Sequence, residues 1–559
     1  MSIILRSSSL SLHRLPIREK ESGREMESGE PLLAGESSGA LIGMVDYRGR
    51  PIISRSRTGG WTSALFIIGV EVAERFAYYG ISSNLITYLT GPLQESTAAA
   101  AVAVNTWSGV ASMLPLLGAF VADSYLGRYR TIVISSLLYV LGLGLLTLSS
   151  MLPSLSPHKC STSFGPTACP PTQFQVIAFY VSLYLVAFAQ GGHKPCTQAF
   201  GGDQFDQNDP EESKSKSSFF NWWYFGLCFG TFVTLWILNF IQDNIGWLLG
   251  FGIPCISMML ALIVFLLGTT TYRYYVLQDT SPFVQVYKAF VTMIKSHATP
   301  HPYSSSDAPK VDNTIEEAKG VIRLFPIWAT CLIYAIVFSQ SSTFFTKQGS
   351  TMERSIGPNI QLPPATLQSF ISLSIVMFIP IYDRILVPIT RKFSGIPSGI
   401  SMLQRIGIGM VLSILSMVIA ALVEMKRLQT AKDYGLVDKP QATIPMSLWW
   451  LVPQYVLYGI ADVFTMVGLQ EFFYDQVPDS LRSLGLALYL SIFGIGSFLS
   501  GFLISVINEV TGKDGHSWFS NNLNRAHLDY FYWLLAGLSA LQFAIYLCCA
   551  KCYVYKKQK

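Results

Sequence analysis

The sequence predicts an all-α membrane protein of about twelve transmembrane helices arranged as two six-helix bundles. Three observations carry this. Only 13% of the residues are charged, against about 25% in soluble domains. Half are hydrophobic and the mean hydropathy is +0.39. The apolar residues are also blocked into runs long enough to cross about 30 Å of hydrocarbon, and one long polar break divides those runs six and six.

Residues 1–60 are polar, mixing Arg, Glu, Ser and Gly without an apolar core, so a disordered cytosolic arm is expected. "MSIILRSSSLSLHRL" is too broken for a secretory signal, and the first span is expected to initiate insertion itself. "GEPLLAG" places Leu32 and Leu33 behind Glu30 as a candidate sorting signal, although the acid is at an unusual distance. The first bundle, 61–270, holds spans near 62–90, 99–122, 131–152, 173–197, 218–241 and 247–270. The polar stretch 271–319 follows as a cytosolic linker, with helical periodicity in "PFVQVYKAFVTMIKSHA" that suggests a short interfacial helix. The second bundle, 320–550, holds spans near 320–343, 364–389, 400–424, 445–470, 483–507 and 528–550, and 551–559 is a cytosolic tail. Two six-helix halves joined this way suit rocking about a central mid-membrane site.

Charge sets the orientation. Twelve spans place both termini on one side, with Arg128, Arg130, Lys214, Lys216, Arg384, Arg391, Lys392 and the closing "KKQK". The opposite loops of the first half carry almost only Lys159, so both termini are expected in the cytosol. "EMKRLQTAKDYGLVDK", after span 9, is an exception. These basic residues track membrane topology and give no sign of nucleic-acid binding. Cys160 and Cys169 share an extracytosolic loop where a disulfide is permitted. Cys548, Cys549 and Cys552 read as apolar filler or palmitoylation sites.

Span 1, "WTSALFIIGVEVAERFAYYGISSNLITYL", contains Glu71, Glu74 and Arg75 near its middle. At 100° per residue these fall within about 100° of arc and share a face. Each charge facing lipid would cost about 2.5–3.5 kcal/mol, so the face must look into the bundle. Arg75 neutralises one carboxylate, and the other needs a proton or a second cation. Such a surplus acid suits a proton-coupled carrier; the structural alternative is a static ion pair that fixes packing.

Span 4 places Lys194 late in an apolar helix, after Gly191 and Gly192 and before Pro195. A lysine near a helix end also snorkels, but the glycines admit close helix approach and the proline weakens the backbone ladder. His193 beside it reads as a helix-end polar residue. Span 10 carries Asp462 near its centre, close to Gly459, and Glu471 towards its cytosolic end. In span 7, Tyr334, Gln340 and Ser341 are placed to line a cavity. Asp123 and Arg128 flank Gly127 in the turn after span 2, where an ion pair can latch one state of a rocking bundle.

The motifs "EVAERFAYYG", "GAFVADSYLGRYRTI", "GGHKPCTQAFGGDQFD" and "SSFFNWWYFGLCFGTF" occur in the order seen in the plant nitrate/peptide transporter family of proton-coupled oligopeptide carriers. "LFPIWATCLIYAIVFSQ" and "LQEFFYDQVPDSLRSLG" extend the resemblance across about 60–550. It implies a major facilitator fold and proton-driven alternating access. It also implies that Glu71, Glu74 and Arg75 form the proton-coupling group, with Glu74 the preferred carrier. Lys194 would pair with that group and feel substrate, and Asp462 would replace a glutamate of helix 10. Phe338 stands where a dual-affinity nitrate transporter of the family has its nitrate-binding histidine, and Val110 where that transporter has its phosphorylated threonine. Nitrate bound in that way is therefore not expected.

The expected function is proton-coupled symport of a small solute: nitrate held differently, a peptide, a plant hormone or a specialised metabolite. A membrane-embedded ligand sensor without net transport is the alternative. No clustered metal-ligand set and no nucleophile beside a base is present in the sequence, so an enzyme is not expected. No metal or cofactor is expected, the coupling ion being the proton. The expected setting is a monomer in the vacuolar or plasma membrane.

Overall fold

The computed structural model describes residues 44–52, 58–151, 159–160, 167–168, 171–206, 209–275, 320–357, 360–395, 399–477, 482–513 and 517–555. The linker from 276 to 319, Leu32, Leu33, Cys169 and the Cys160 side chain lie outside the described residues, and with them the disulfide and sorting-signal expectations.

The first half comprises α1 (Gly60–Ser82), α2 (Leu85–Thr90), α3 (Thr97–Val121), α4 (Arg128–Met151), α5 (Gln173–Gly202), α6 (Pro210–Asn244) and α7 (Trp247–Leu267). Helix starts follow capping chemistry. The Ser96 hydroxyl accepts from Ala99 N, Thr172 and Gln175 form a capping box on α5, and Asp209 caps α6 ahead of Pro210. The end of α3 passes into a π turn, Ala122–Leu126, which Gly127 terminates at φ 77°. The second half comprises α8 (Phe325–Thr330), α9 (Leu332–Phe338), α10 (Phe344–Ser350), α11 (Ser369–Ile381), α12 (Val387–Ser394), α13 (Met402–Asp433), α14 (Val452–Asp475), α15 (Arg482–Gly512) and α16 (Leu528–Cys552).

Among the described residues, ten helices are long and apolar enough to cross a membrane, and the pair Gly320–Thr330 and Leu332–Ser350, bent by 43°, makes an eleventh if it is one broken span. α1, with 23 residues, reaches about 34 Å but carries Glu71, Glu74 and Arg75 near its middle, and it is not among these candidate spans. Leucines and other apolar side chains cover the outside, Leu117, Leu141, Phe188 and Met377 among them, as a lipid-facing surface requires.

Inside the bundles, glycines allow the close approach that apolar solvent cannot enforce by itself. A Cβ on Gly118 of α3 would lie 2.1 Å from Gly191 O of α5. One on Gly459 of α14 would lie 2.6 Å from Ile371 O of α11. α5 runs unbroken through Pro195.

Two expectations are corrected. Part of the arm expected to lack structure is built into the fold: strand Met44–Val45 pairs antiparallel with Tyr274–Tyr275. Gly59 N donates to Thr271 O at 2.8 Å, and Gly60 N to Gln204 O at 2.7 Å. The buried Arg273 closes this junction, donating to Thr58 O, Gln204 O and the Glu212 carboxylate. The second correction concerns one residue of "EMKRLQTAKDYGLVDK", Arg427, while Lys426, Lys432 and Lys439 of that segment are exposed and keep it an exception to the charge bias. Glu424 and Arg427 lie inside α13, fully buried and paired. Arg427 also donates to Thr351 Oγ1 at 3.1 Å, Asn524 Oδ1 at 3.0 Å and Leu523 O at 2.7 Å. Arg427 is thus a satisfied core group rather than a loop charge.

Candidate functional site

Glu71, Glu74 and Arg75 lie on the inward face of α1, all buried, as the spacing demanded. Arg75 Nε is 3.1 Å from Glu71 Oε1 and 2.7 Å from Glu74 Oε2. The Glu71 contact has hydrogen-bond geometry, whereas the Glu74 contact is an ion pair without it. Around them stand groups that the sequence did not flag. Thr197 Oγ1 of α5 donates to Glu71 Oε2 at 2.6 Å, and Tyr139 OH of α4 donates to Glu74 Oε1 at 3.3 Å. The guanidinium lies 5.9 Å over Tyr78, whose ring stacks on Trp107 at 5.5 Å. Trp107 in turn donates to Leu183 O. The orientation of Arg75 is thereby tied to α3 and α5.

This network differs from the Arg427 cluster in one respect. Glu74 Oε2 and Arg75 Nη2 have no hydrogen-bond partner among the described residues. Buried polar groups are ordinarily satisfied, and a partly satisfied buried network is costly as pure structure.

Lys194 is half-buried on α5, and no carboxylate of the described residues lies within ion-pair distance. The expected pairing with the α1 acids is therefore absent in this conformation. His193 is fully buried nine residues before the end of α5, so it is not the helix-end residue expected. Ligand atoms of Glu71, Glu74 and His193 lie within 4.8 Å of one another. Arg75 already holds the cationic place between the two carboxylates.

Across the bundle, Asp462 is buried in α14 and accepts a hydrogen bond from Tyr334 OH of α9. Tyr334 stacks on Tyr458 at 6.0 Å, and Phe338 packs on Tyr458 at 5.8 Å and Phe493 at 5.6 Å. Gln340 does not line a cavity as expected. Its side chain is fully buried and donates to Ile336 O at 2.8 Å and Ser500 Oγ at 3.1 Å. Ser341 is likewise buried. Glu471 pairs with Arg405 at 3.5 Å, and Arg405 sits 4.5 Å over Tyr382.

The Asp123–Arg128 pair exists at 3.5 Å, but Arg128 hydrogen-bonds instead to Asp203, the C-cap of α5. All three belong to the first bundle, and in this structure the group ties the turn after α3, the start of α4 and the end of α5 together. Burial pushes the Asp203 carboxyl above its ordinary range, with Arg128 pulling the other way.

Hydrogen bonds and ion pairs that join the halves between described residues lie at the end away from the termini. Lys347 Nζ donates to Thr90 Oγ1 at 3.0 Å, Asn105 Nδ2 to Ser500 Oγ at 2.9 Å and Gln368 Nε2 to Ser83 O at 2.9 Å. Arg354 lies 3.9 Å from Asp243 there. The conformation is closed at that far end.

The profile of the POT family (PTR2) matches residues 129–520. The chain belongs to the POT family. It is 63% identical to Protein NRT1/PTR FAMILY 5.10 of Arabidopsis thaliana, over 96% of this chain and 99% of that protein. It is 54% identical to NRT1/PTR FAMILY 5.14 of the same plant, over 92% and 96%. Among solved structures, an auto-inhibited POT family peptide transporter superposes with a TM-score of 0.70 at 21% identity, covering 89% of this chain and 99% of that one. A POT family transporter in complex with 5-aminolevulinic acid superposes at 0.62 and 17% identity, covering 88% and 96%. This POT-family chain is thus a multi-pass transporter of the major facilitator fold and not an enzyme.

Proposed function

We propose that the protein is a proton-coupled symporter of a small solute, working by alternating access. The observation that carries this is the incompletely satisfied network at mid-span of α1, where one guanidinium faces two buried carboxylates. A proton on Glu74 would cancel the charge that holds it to Arg75. Arg75 would then remain with Glu71, and α1 would lose one tie to Tyr139 of α4. Lys194, with no carboxylate of the described residues within ion-pair distance, is placed to meet either a deprotonated acid or an anionic part of the solute. Asp462 offers a carboxylate from the opposite bundle once Tyr334 releases it.

The Phe338 ring, packed on Tyr458 and Phe493, can neither donate a hydrogen bond nor carry charge. That favours an organic solute, a peptide, a plant hormone or a specialised metabolite, over bare nitrate at this position. The termini would lie in the cytosol, so the closed far end faces the lumen or the exterior, and a monomer in the vacuolar or plasma membrane would suffice. The test is a proteoliposome assay with an internal pH dye, adding nitrate, dipeptides and plant hormones in turn. Solute-dependent acidification under an inward proton gradient supports the reading. Saturable binding without proton or solute flux would instead make the protein a sensor.

A further inference from the structure

His193 is a buried ionisable group that the transport reading leaves unused. Neither ring nitrogen has a hydrogen-bond partner among the described residues, an arrangement that buried polar groups ordinarily avoid. Nδ1 is 4.0 Å from Glu71 Oε2, and the ring stands edge-on to Tyr139 at 6.4 Å. The groups facing it are Glu71, Glu74 and Arg75 from α1, Tyr139 from α4 and Lys194 beside it on α5. α3, which packs Gly118 on Gly191, carries no charged residue, histidine, tyrosine or cysteine along Thr97–Val121.

Three ligand atoms within 4.8 Å suggest a cation, but Arg75 already stands 3.1 and 2.7 Å from the two carboxylates. A metal ion would meet that positive charge at contact distance, whereas a proton needs no room. We propose that Glu71 and His193 form a second proton seat beside Glu74, the proton being held between Glu71 Oε2 and His193 Nδ1. The gap closes by about 1 Å to reach hydrogen-bond length. Thr197 gives up its bond to Glu71 and turns its one hydroxyl proton to His193 O, which lies 3.0 Å away. Arg75 stays with whichever carboxylate is charged. The proton can then pass between Glu74 and the Glu71–His193 pair without leaving an uncompensated charge in the bundle. Only O–H and N–H bonds are made or broken.

This inference rests on the proton-coupled reading, yet its test is independent of solute. The full chain, carrying imidazole-15N histidine, is reconstituted in lipid nanodiscs and titrated by NMR from pH 5 to 8, the window in which histidine responds. His193→Gln assigns the signal among the seven histidines. The expected result is a His193 transition that moves about one pH unit lower in Glu71→Gln, which removes the anionic partner. It moves higher in Thr197→Val, which removes the competing donor, so either variant alone decides. A signal without a transition, or one that neither variant moves, overturns the proposal, because a purely structural His193 alters only the yield of folded protein. Shifts as expected with no gradient-driven flux would leave the shared proton standing and remove the symport reading. Flux with unmoved transitions would do the reverse.

Discussion

Arg75 Nε lies 2.7 Å from Glu74 Oε2, with both side chains buried in the middle of α1. Removing the base leaves two carboxylates facing each other in an apolar bundle. Arg75→Met should therefore destabilise the protein by about 3–5 kcal/mol, seen as a large loss of thermal stability in detergent. Glu74→Gln keeps shape and removes one charge, so it should melt near wild type. A Glu74→Gln protein that unfolds as readily as Arg75→Met would make the network purely structural.

The Arg427 cluster gives the contrast. Beyond its pair with Glu424 in the same helix, this fully buried arginine ties α13 to the far-end segments around Thr351 and Asn524. Arg427→Met should cost about 3–5 kcal/mol, and Glu424→Gln combined with it should recover part of that loss. The measurement is a double-mutant cycle of thermal unfolding. Additive losses would mean that Glu424 and Arg427 do not act as a pair.

The Arg128 brace should respond to acid. Asp203 is held above its ordinary range by burial, so the folded chain binds this proton more tightly than the unfolded chain does. Its contribution to stability therefore grows as pH falls through the folded value towards the unfolded one. Acidification loosens the bond to Arg128 without unfolding the protein. Asp203→Asn should flatten the acid-side slope of melting temperature against pH.

The closed far end predicts proximity between the halves. Thr90→Cys with Lys347→Cys should be bridged in the resting protein by a short bifunctional thiol reagent that replaces the length of the lysine side chain, because Lys347 Nζ reaches Thr90 Oγ1 at 3.0 Å. Mass analysis of the treated protein reads the yield. Failure to cross-link would place the resting protein in another state.

Much of the fold was legible because lipid is a strict solvent: runs of apolar residues mark spans, and any charge inside them must face inward. Glu71, Glu74, Arg75 and Asp462 stood out for that reason. Tyr139, Thr197 and His193 did not, since hydroxyls and a lone histidine are ordinary in such helices and their meaning comes from the neighbouring helix. Spacing put Gln340 on a plausible face but could not show that Ser500, 160 residues away, takes its carboxamide. The same distance hid the partners of Arg427, and nothing in "CLIYAIVFSQ" announced a 43° bend. Lys194 was found by its position, but spacing could not show that no carboxylate of the described residues lies within ion-pair distance of it.

The central claim is that protons move through the α1 network. The most direct test reads gradient-driven proton flux with added solute in proteoliposomes of wild type, Glu74→Gln and Lys194→Ala. The account predicts solute-dependent flux in wild type, at least a tenfold loss in Glu74→Gln and strong impairment in Lys194→Ala, all three proteins melting within a few degrees. Undiminished gradient-dependent flux in both variants would contradict it.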